Sequence, residues 1–222
     1  MRALLPGQSG YGSSLGAMEV IIANAYSLSF STDVDLCSDG ADRHYLVEID
    51  GHVIWMPEEY DTGEEVGTFS AVHIRSYEIE ENEAGPIQDW AEASDVQLGI
   101  IAKALFEHGN DNHWSEAFTS LFSDDLPNQD ILVIRDLRLD PAHRGLGLSG
   151  RILSQIIEMQ GYLCTVAAVI PEPMDTEGMD PDDILAAEVK LARRCEDLGF
   201  VRVPSTPVWV RLLDEKISIS SN

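Results

Sequence analysis

Residues 131–160 read ILVIRDLRLDPAHRGLGLSGRILSQIIEMQ. The apolar run from Ile131 to Leu139 predicts a strand, and Leu148, Ile152, Ile156 and Met159 recur at helical spacing, predicting a helix over Leu146 to Gln160. Between them lies Arg144-Gly145-Leu146-Gly147-Leu148-Ser149-Gly150. A strand that turns through glycines into a helix start can hold an anion. The first N–H groups of a helix lack intrahelical partners and sit at the positive end of its dipole, and glycines let the backbone come close. Arg135, Arg138, Arg144 and Arg151 fall in the same stretch, opposed by Asp136 and Asp140. In a chain of formal net charge -25, this local cationic spot points to an anionic ligand. The alternative is a glycine-rich turn that only joins strand to helix.

Arg144 to Ser149, preceded by Leu139-Asp140-Pro141, resembles the acetyl-CoA signature of the GCN5-related N-acetyltransferases, Q/R-x-x-G-x-G/A. Ser149 departs from it at the last position, as a small residue followed by Gly150. Leu198-Gly199-Phe200 resembles the family's "LGF" helix ending, and Val208-Trp209-Val210-Arg211-Leu212 its closing strand, so the resemblance spans roughly Ile131 to Leu213. It implies an α/β fold with a mixed, mostly antiparallel central sheet flanked by helices, and acetyl-CoA as acyl donor. By the match, backbone N–H groups of Arg144, Gly145, Leu146, Gly147, Leu148, Ser149 and Gly150 face the pyrophosphate. Leu137, Arg138 and Leu139 offer backbone pairing to the pantetheine arm and acetyl carbonyl. The implied reaction is direct attack on the thioester by an amine of a small molecule or protein, with no covalent enzyme intermediate. Family members often dimerise.

The catalytic side departs further from the family. A tyrosine often stands four residues before the glycine of LGF, but here that position is Cys195. A thiol of ordinary pKa about 8.5 can protonate a departing thiolate, whereas one buried in a helix face is an inert core residue, the favoured alternative. Asp136 on the strand is a candidate base, with pairing to a neighbouring arginine as its structural alternative. Glu172 is a second candidate, or else a solvated loop charge. Strand alternation predicts Asp136 and Arg138 on one face and Arg135 with Leu137 on the other. His73, His108, His113 and His143 are isolated and read as surface or capping residues, although His143 adjoins Arg144 within reach of a CoA phosphate. Glu107, His108, His113 and Glu116 have no metal-ligand spacing, so no metal is expected.

The three cysteines, Cys37, Cys164 and Cys195, are odd in number and unpaired in spacing, against a disulfide framework or a zinc site. No apolar run approaches a membrane span, and the N-terminus has no secretory apolar core, so the expectation is a cytoplasmic protein without a membrane partner. The acidic charge argues against nucleic acid and suits a cationic amine, or else reflects general solubility.

Along the chain, residues 1–17 read as a flexible arm, 18–213 as one domain with a substrate side (18–130) and a donor side (131–213), and 214–222 as a tail. Three strands are predicted first: Glu19 to Phe30, Tyr45 to Trp55 with Asp50-Gly51 as a hairpin signal, and Val66 to Ile79. Helical stripes follow at Trp90, Ser94, Leu98, Ile101 and Leu105, and at Trp114, Ala117, Phe118, Leu121 and Phe122. Thr165 to Ile170 is a buried strand, Pro171 to Asp183 a loop beside a ligand crevice, and Ile184 to Leu198 a helix capped by Gly199. Strands at Phe200 to Val203 and Val208 to Leu213 complete the sheet. Beside the enzyme stand two rivals: a CoA-binding sensor that has lost catalysis, and a toxin-type enzyme aimed at a charged aminoacyl group.

Overall fold

The computed structural model describes residues 18–23, 26–33, 45–56, 63–109, 112–122, 126, 130–160, 164–173 and 176–213. The expected arm and tail, and Cys37, lie outside them. The described strands are β1 (Met18–Ala23), β2 (Tyr26–Asp33), β3 (Leu46–Trp55), β4 (Glu64–Ile74), β5 (Asp130–Leu139), β6 (Cys164–Val169), β7 (Val201–Arg202) and β8 (Trp209–Leu212). They form one sheet in the order β1-β2-β3-β4-β5-β6-β8-β7. Only β5 and β6 pair in parallel; the remaining ladders are antiparallel. This is the mixed, mostly antiparallel sheet expected.

Helices cover both faces, because the central strands β4, β5 and β6 bury apolar side chains on both sides. On one face α1 (Ser76–Glu81), α2 (Ile87–Ser94), α3 (Val96–Leu105) and α4 (Glu116–Thr119) bury Ile79, Ile87, Ala91, Leu98, Ile101 and Phe118 against Val72, Ile74, Ile131, Val133, Val166 and Ala168. On the other, α5 (Leu148–Gln160) and α6 (Pro181–Asp197) bury Ile152, Ile156 and Cys195 against Ile49, Phe69, Ala71, Leu132, Ile134 and Ala167. Among the described residues no helix is long and apolar enough to cross a membrane.

The first half of the chain departs from expectation in several places. The run Glu19 to Phe30 folds back on itself, with Ala23 opposite Tyr26, so four strands precede the helices. Asp50-Gly51 is no hairpin: β3 runs straight through it, paired on both sides with β2 and β4. Glycine is needed there for proximity, since a Cβ on Gly51 would stand 2.2 Å from Phe69 Cε1 and 2.8 Å from the Ser29 carbonyl oxygen. The strand predicted to Ile79 ends at Ile74, where the Arg75 N–H closes on the Tyr45 carbonyl at 2.8 Å, and Ile79 is buried from helix α1.

The stripe from Trp90 to Leu105 is two helices, divided at Asp95. Its carboxylate accepts from the N–H groups of Gln97 (2.7 Å) and Leu98 (3.2 Å), capping α3. The helix expected over Trp114 to Phe122 shrinks to α4, because Trp114 is bridged to Phe106 in extended backbone and Ser115 caps the turn that follows. In the second half, α6 starts three residues earlier than expected, at Pro181, with Asp180 capping it. The proline fits a first helical turn, whose N–H has no partner to lose.

Candidate active site

β5 changes character halfway. Its ladder to β6 runs from Asp130↔Cys164 to Ile134↔Val169 and stops there, while pairing to β4 continues through Leu137↔Phe69, Arg138↔Thr68 and Leu139↔Gly67. Beyond Ile134, β5 therefore has, among the described residues, a neighbouring strand on one side only. At the same point the register to β4 slips: Ile134 faces Ala71 and Asp136 faces Ser70, which leaves Arg135 as an extra residue in a β-bulge.

The bulge inverts the alternation of the strand. Before it, Leu132 and Ile134 pack on the α5–α6 face; after it, Leu137 and Leu139 do. Arg135 and Asp136 consequently share the opposite face, so Arg135 does not join Leu137 as simple alternation predicts. Arg135 Nη1 donates to Glu48 Oε2 at 2.9 Å and Nη2 to Asp95 Oδ2 at 3.2 Å, tying the bulge to β3 and to the cap of α3. Arg138 Nε donates to Asp136 Oδ2 at 2.8 Å, consistent with their expected common face. The other carboxylate oxygen, Asp136 Oδ1, is buried with no hydrogen-bond partner among the described residues.

Where β5 and β6 part, a cleft of ≈ 660 Å³ opens, within the size range of small-molecule sites. Asp136, Leu137, Arg138 and Leu139 line it from β5, Arg144 and Ser149 from the turn, Ile170 to Pro173 from beyond β6, and Leu191, Arg194 and Cys195 from α6. Asp95, Val96, Gln97 and Ile100 close the side toward α3. All three candidate catalytic residues, Asp136, Glu172 and Cys195, thus share one cleft with much of the candidate donor site.

The glycine turn is exposed at its tip and buried at its base. Gly145 and Gly147 have φ of 79° and 75°, a left-handed conformation that costs little only without a Cβ. A Cβ on Gly145 would meet nothing within 4 Å, so conformation alone demands glycine there. Leu148 is buried against Ile152 and the sheet, which anchors the start of α5. Arg144 folds back, its Nε donating to the Leu139 carbonyl at 2.6 Å, and so links the end of β5 to the turn.

Cys195 lies at the cleft wall but belongs to the core, 7% exposed. Burial, with Glu196 nearby, pushes its thiol up to about 11. It stays protonated at neutral pH and is a poor nucleophile. Cys164, against Asp130, is pushed up to about 12, chiefly by burial. Glu172 is exposed at the cleft mouth. His143 is held by an aromatic cluster, its Nδ1 3.2 Å from the Tyr26 hydroxyl and its ring 5.4 Å from that of Trp55. His73 is no surface residue: it is buried, with Nε2 2.7 Å from Asp130 Oδ2, a partner 57 residues away that local sequence does not reveal.

The four arginines of residues 131–160 do not act as one cationic spot. Arg135 and Arg138 are occupied by carboxylates, whereas Arg144 and Arg151 form no ion pair among the described residues. Arg194, from α6, joins them. Its Nη2 lies 3.4 Å from the Gly147 carbonyl oxygen, and its guanidinium covers Gly150, where a Cβ would stand 2.9 Å from Cζ. Within the Arg193-Arg194 pair, nothing in the sequence singles out the second.

No protein-family model matches the chain, and no curated protein matches it. Among solved structures it is similar to a point variant of KacT, at 8% identity over 75% of this chain and 71% of that one, with a TM-score of 0.40. It is similar to a KacTA–DNA complex at 11% identity, covering 89% and 94%, with a TM-score of 0.39. A polyamine N-acetyltransferase of Drosophila melanogaster that forms N-acetylagmatine matches at 18% identity, covering 73% and 74%, with a TM-score of 0.34.

Proposed function

We propose that the chain is an N-acyltransferase of the GCN5-related type, which takes an acetyl group from acetyl-CoA and gives it to a primary amine. The observation that carries this reading is the meeting, at one cleft, of a strand edge with no strand beside it among the described residues and of Arg144 and Ser149, which flank a left-handed glycine turn at the head of a helix. The free edge of β5 from Leu137 to Leu139 offers main-chain groups to the amide-bearing pantetheine arm, as a strand offers them to an added strand. The turn from Arg144 to Gly150 offers N–H groups and the α5 dipole to the diphosphate. The resemblance of the turn to the family signature then selects CoA among phosphorylated ligands.

The acyl end lies toward the bulge, where Asp136 and Glu172 line the cleft. A neutral amine attacks the thioester carbonyl, a C–N bond forms and the C–S bond breaks. One amine proton must leave and the departing sulfur must gain one. Asp136 Oδ1, without a hydrogen-bond partner among the described residues, is the acceptor for the amine proton in this proposal, while Arg138 holds the other oxygen. Glu172 is the secondary candidate, at the mouth where an acceptor enters. Cys195 is assigned to the core, and the thiolate takes its proton from solvent.

The test is release of free CoA thiol from acetyl-CoA against a panel of small amines and amine-bearing peptides, for the wild type and for Cys195→Ala. The expected results are turnover with at least one amine, and a kcat for Cys195→Ala within about threefold of wild type, below the usual effect of losing a general acid. Saturable CoA binding without turnover on any amine favours the non-catalytic sensor. A hundredfold fall in Cys195→Ala with the fold intact would instead make the thiol the acid.

A further inference from the structure

A second groove, of ≈ 570 Å³, runs between α5 and α6 on the far side of the glycine turn. It shares Arg194 with the main cleft, so the two openings meet at that guanidinium. Leu146, Gly147 and Gly150 line it from the turn, and Arg151, Ser154, Gln155 and Glu158 line it along α5 at helical spacing. Charge is graded along it. Arg151 is in the first turn of α5, at the positive end of the helix dipole, whereas Glu158 is two turns further on. Asp197 also lines the groove, yet neither Arg151 nor Arg194 is ion-paired among the described residues. Two guanidiniums with no ion-pair partner among the described residues, lining one groove, stand out in a protein of net charge -25. Arg135 and Arg138, at the acyl end, have carboxylate partners.

Resting on the acetyl-CoA reading, we infer that this groove seats the 3′-phosphomonoester of the donor, apart from its diphosphate, so that Arg151, with Arg194 at the junction, selects the 3′-phosphorylated cofactor over dephospho-CoA. The diphosphate occupies the turn, Arg194 stands at the junction, and the terminal phosphomonoester reaches the Arg151 end. Arginine suits this role because its planar fork donates two parallel N–H bonds to phosphate oxygens. Arg151 is exposed, so its loss leaves the core untouched.

The experiment is calorimetric titration of the full chain with CoA and with dephospho-CoA, for the wild type, Arg151→Ala, Arg151→Lys and Arg194→Ala, each checked by its thermal midpoint. Wild type is expected to favour CoA by about tenfold or more, the worth of one charge-assisted contact. Arg151→Ala should reduce that preference to near unity with dephospho-CoA affinity changed less than about twofold, and Arg151→Lys should restore part of it. Arg194→Ala should weaken both ligands, because Arg194 faces both openings. Equal affinity of wild type for the two ligands, or an equal loss of both in Arg151→Ala, would overturn the inference and leave the acetyl-CoA reading standing. Binding of neither ligand would overturn both.

Discussion

Replacing Gly147 with valine should lower acetyl-CoA affinity by about a hundredfold or more, the loss expected when two or three main-chain N–H bonds to phosphate are misaligned. Gly147 has φ of 75°, where an L-residue pays roughly 1–2 kcal/mol and a β-branched one more. The chain relieves that strain by rotating the turn, which turns the N–H groups away from the ligand. Because the tip is exposed and Leu148 holds the base of the turn in the core, the folded state should survive with a lowered thermal midpoint. Gly147→Asn is the informative control, since asparagine enters the left-handed region with little penalty and should keep most of the affinity. Isothermal titration with acetyl-CoA reads both. Undiminished affinity in Gly147→Val would remove the phosphate role of the turn.

Asp136→Asn should cut kcat by about a hundredfold while leaving the affinity for acetyl-CoA within a few fold, the usual effect of losing a general base. The amide keeps the size of the carboxylate and a carbonyl oxygen for Arg138, so the bulge and the contact with Arg138 (2.8 Å in the native chain) are retained. What disappears is the proton acceptor. A parallel fall in acetyl-CoA affinity would assign Asp136 a structural role, and Glu172→Gln would become the next variant to measure.

Much of the donor side was legible in residues 131–213, because its signals are local. A strand, glycines at a helix start and an apolar stripe on that helix each obey short-range rules, and β5, α5, β6, α6 and β8 lie close to where those rules put them. The bulge was harder to read. Residues 131–134 are Ile-Leu-Val-Ile, apolar on both faces, so they carry no phase. Only Leu137 and Leu139 against Asp136 and Arg138 reveal which face is inside after Arg135, and nothing before it betrays the slip. Asp50-Gly51 has the composition of a turn, yet the glycine serves cross-strand closeness to Phe69. Arg194 and the buried pair of His73 with Asp130 depend on contacts made across 47 and 57 positions, beyond the reach of spacing.

The central claim is that one ligand lies along the free edge of β5 and ends on the glycine turn. Backbone amide NMR during titration with acetyl-CoA addresses it most directly. The amides of Leu137, Leu139 and Gly145 to Gly150 should shift together and saturate at a single dissociation constant, with those of β2 and β3 nearly still. Saturable shifts elsewhere with these amides unmoved, or no shifts at millimolar acetyl-CoA, would contradict it.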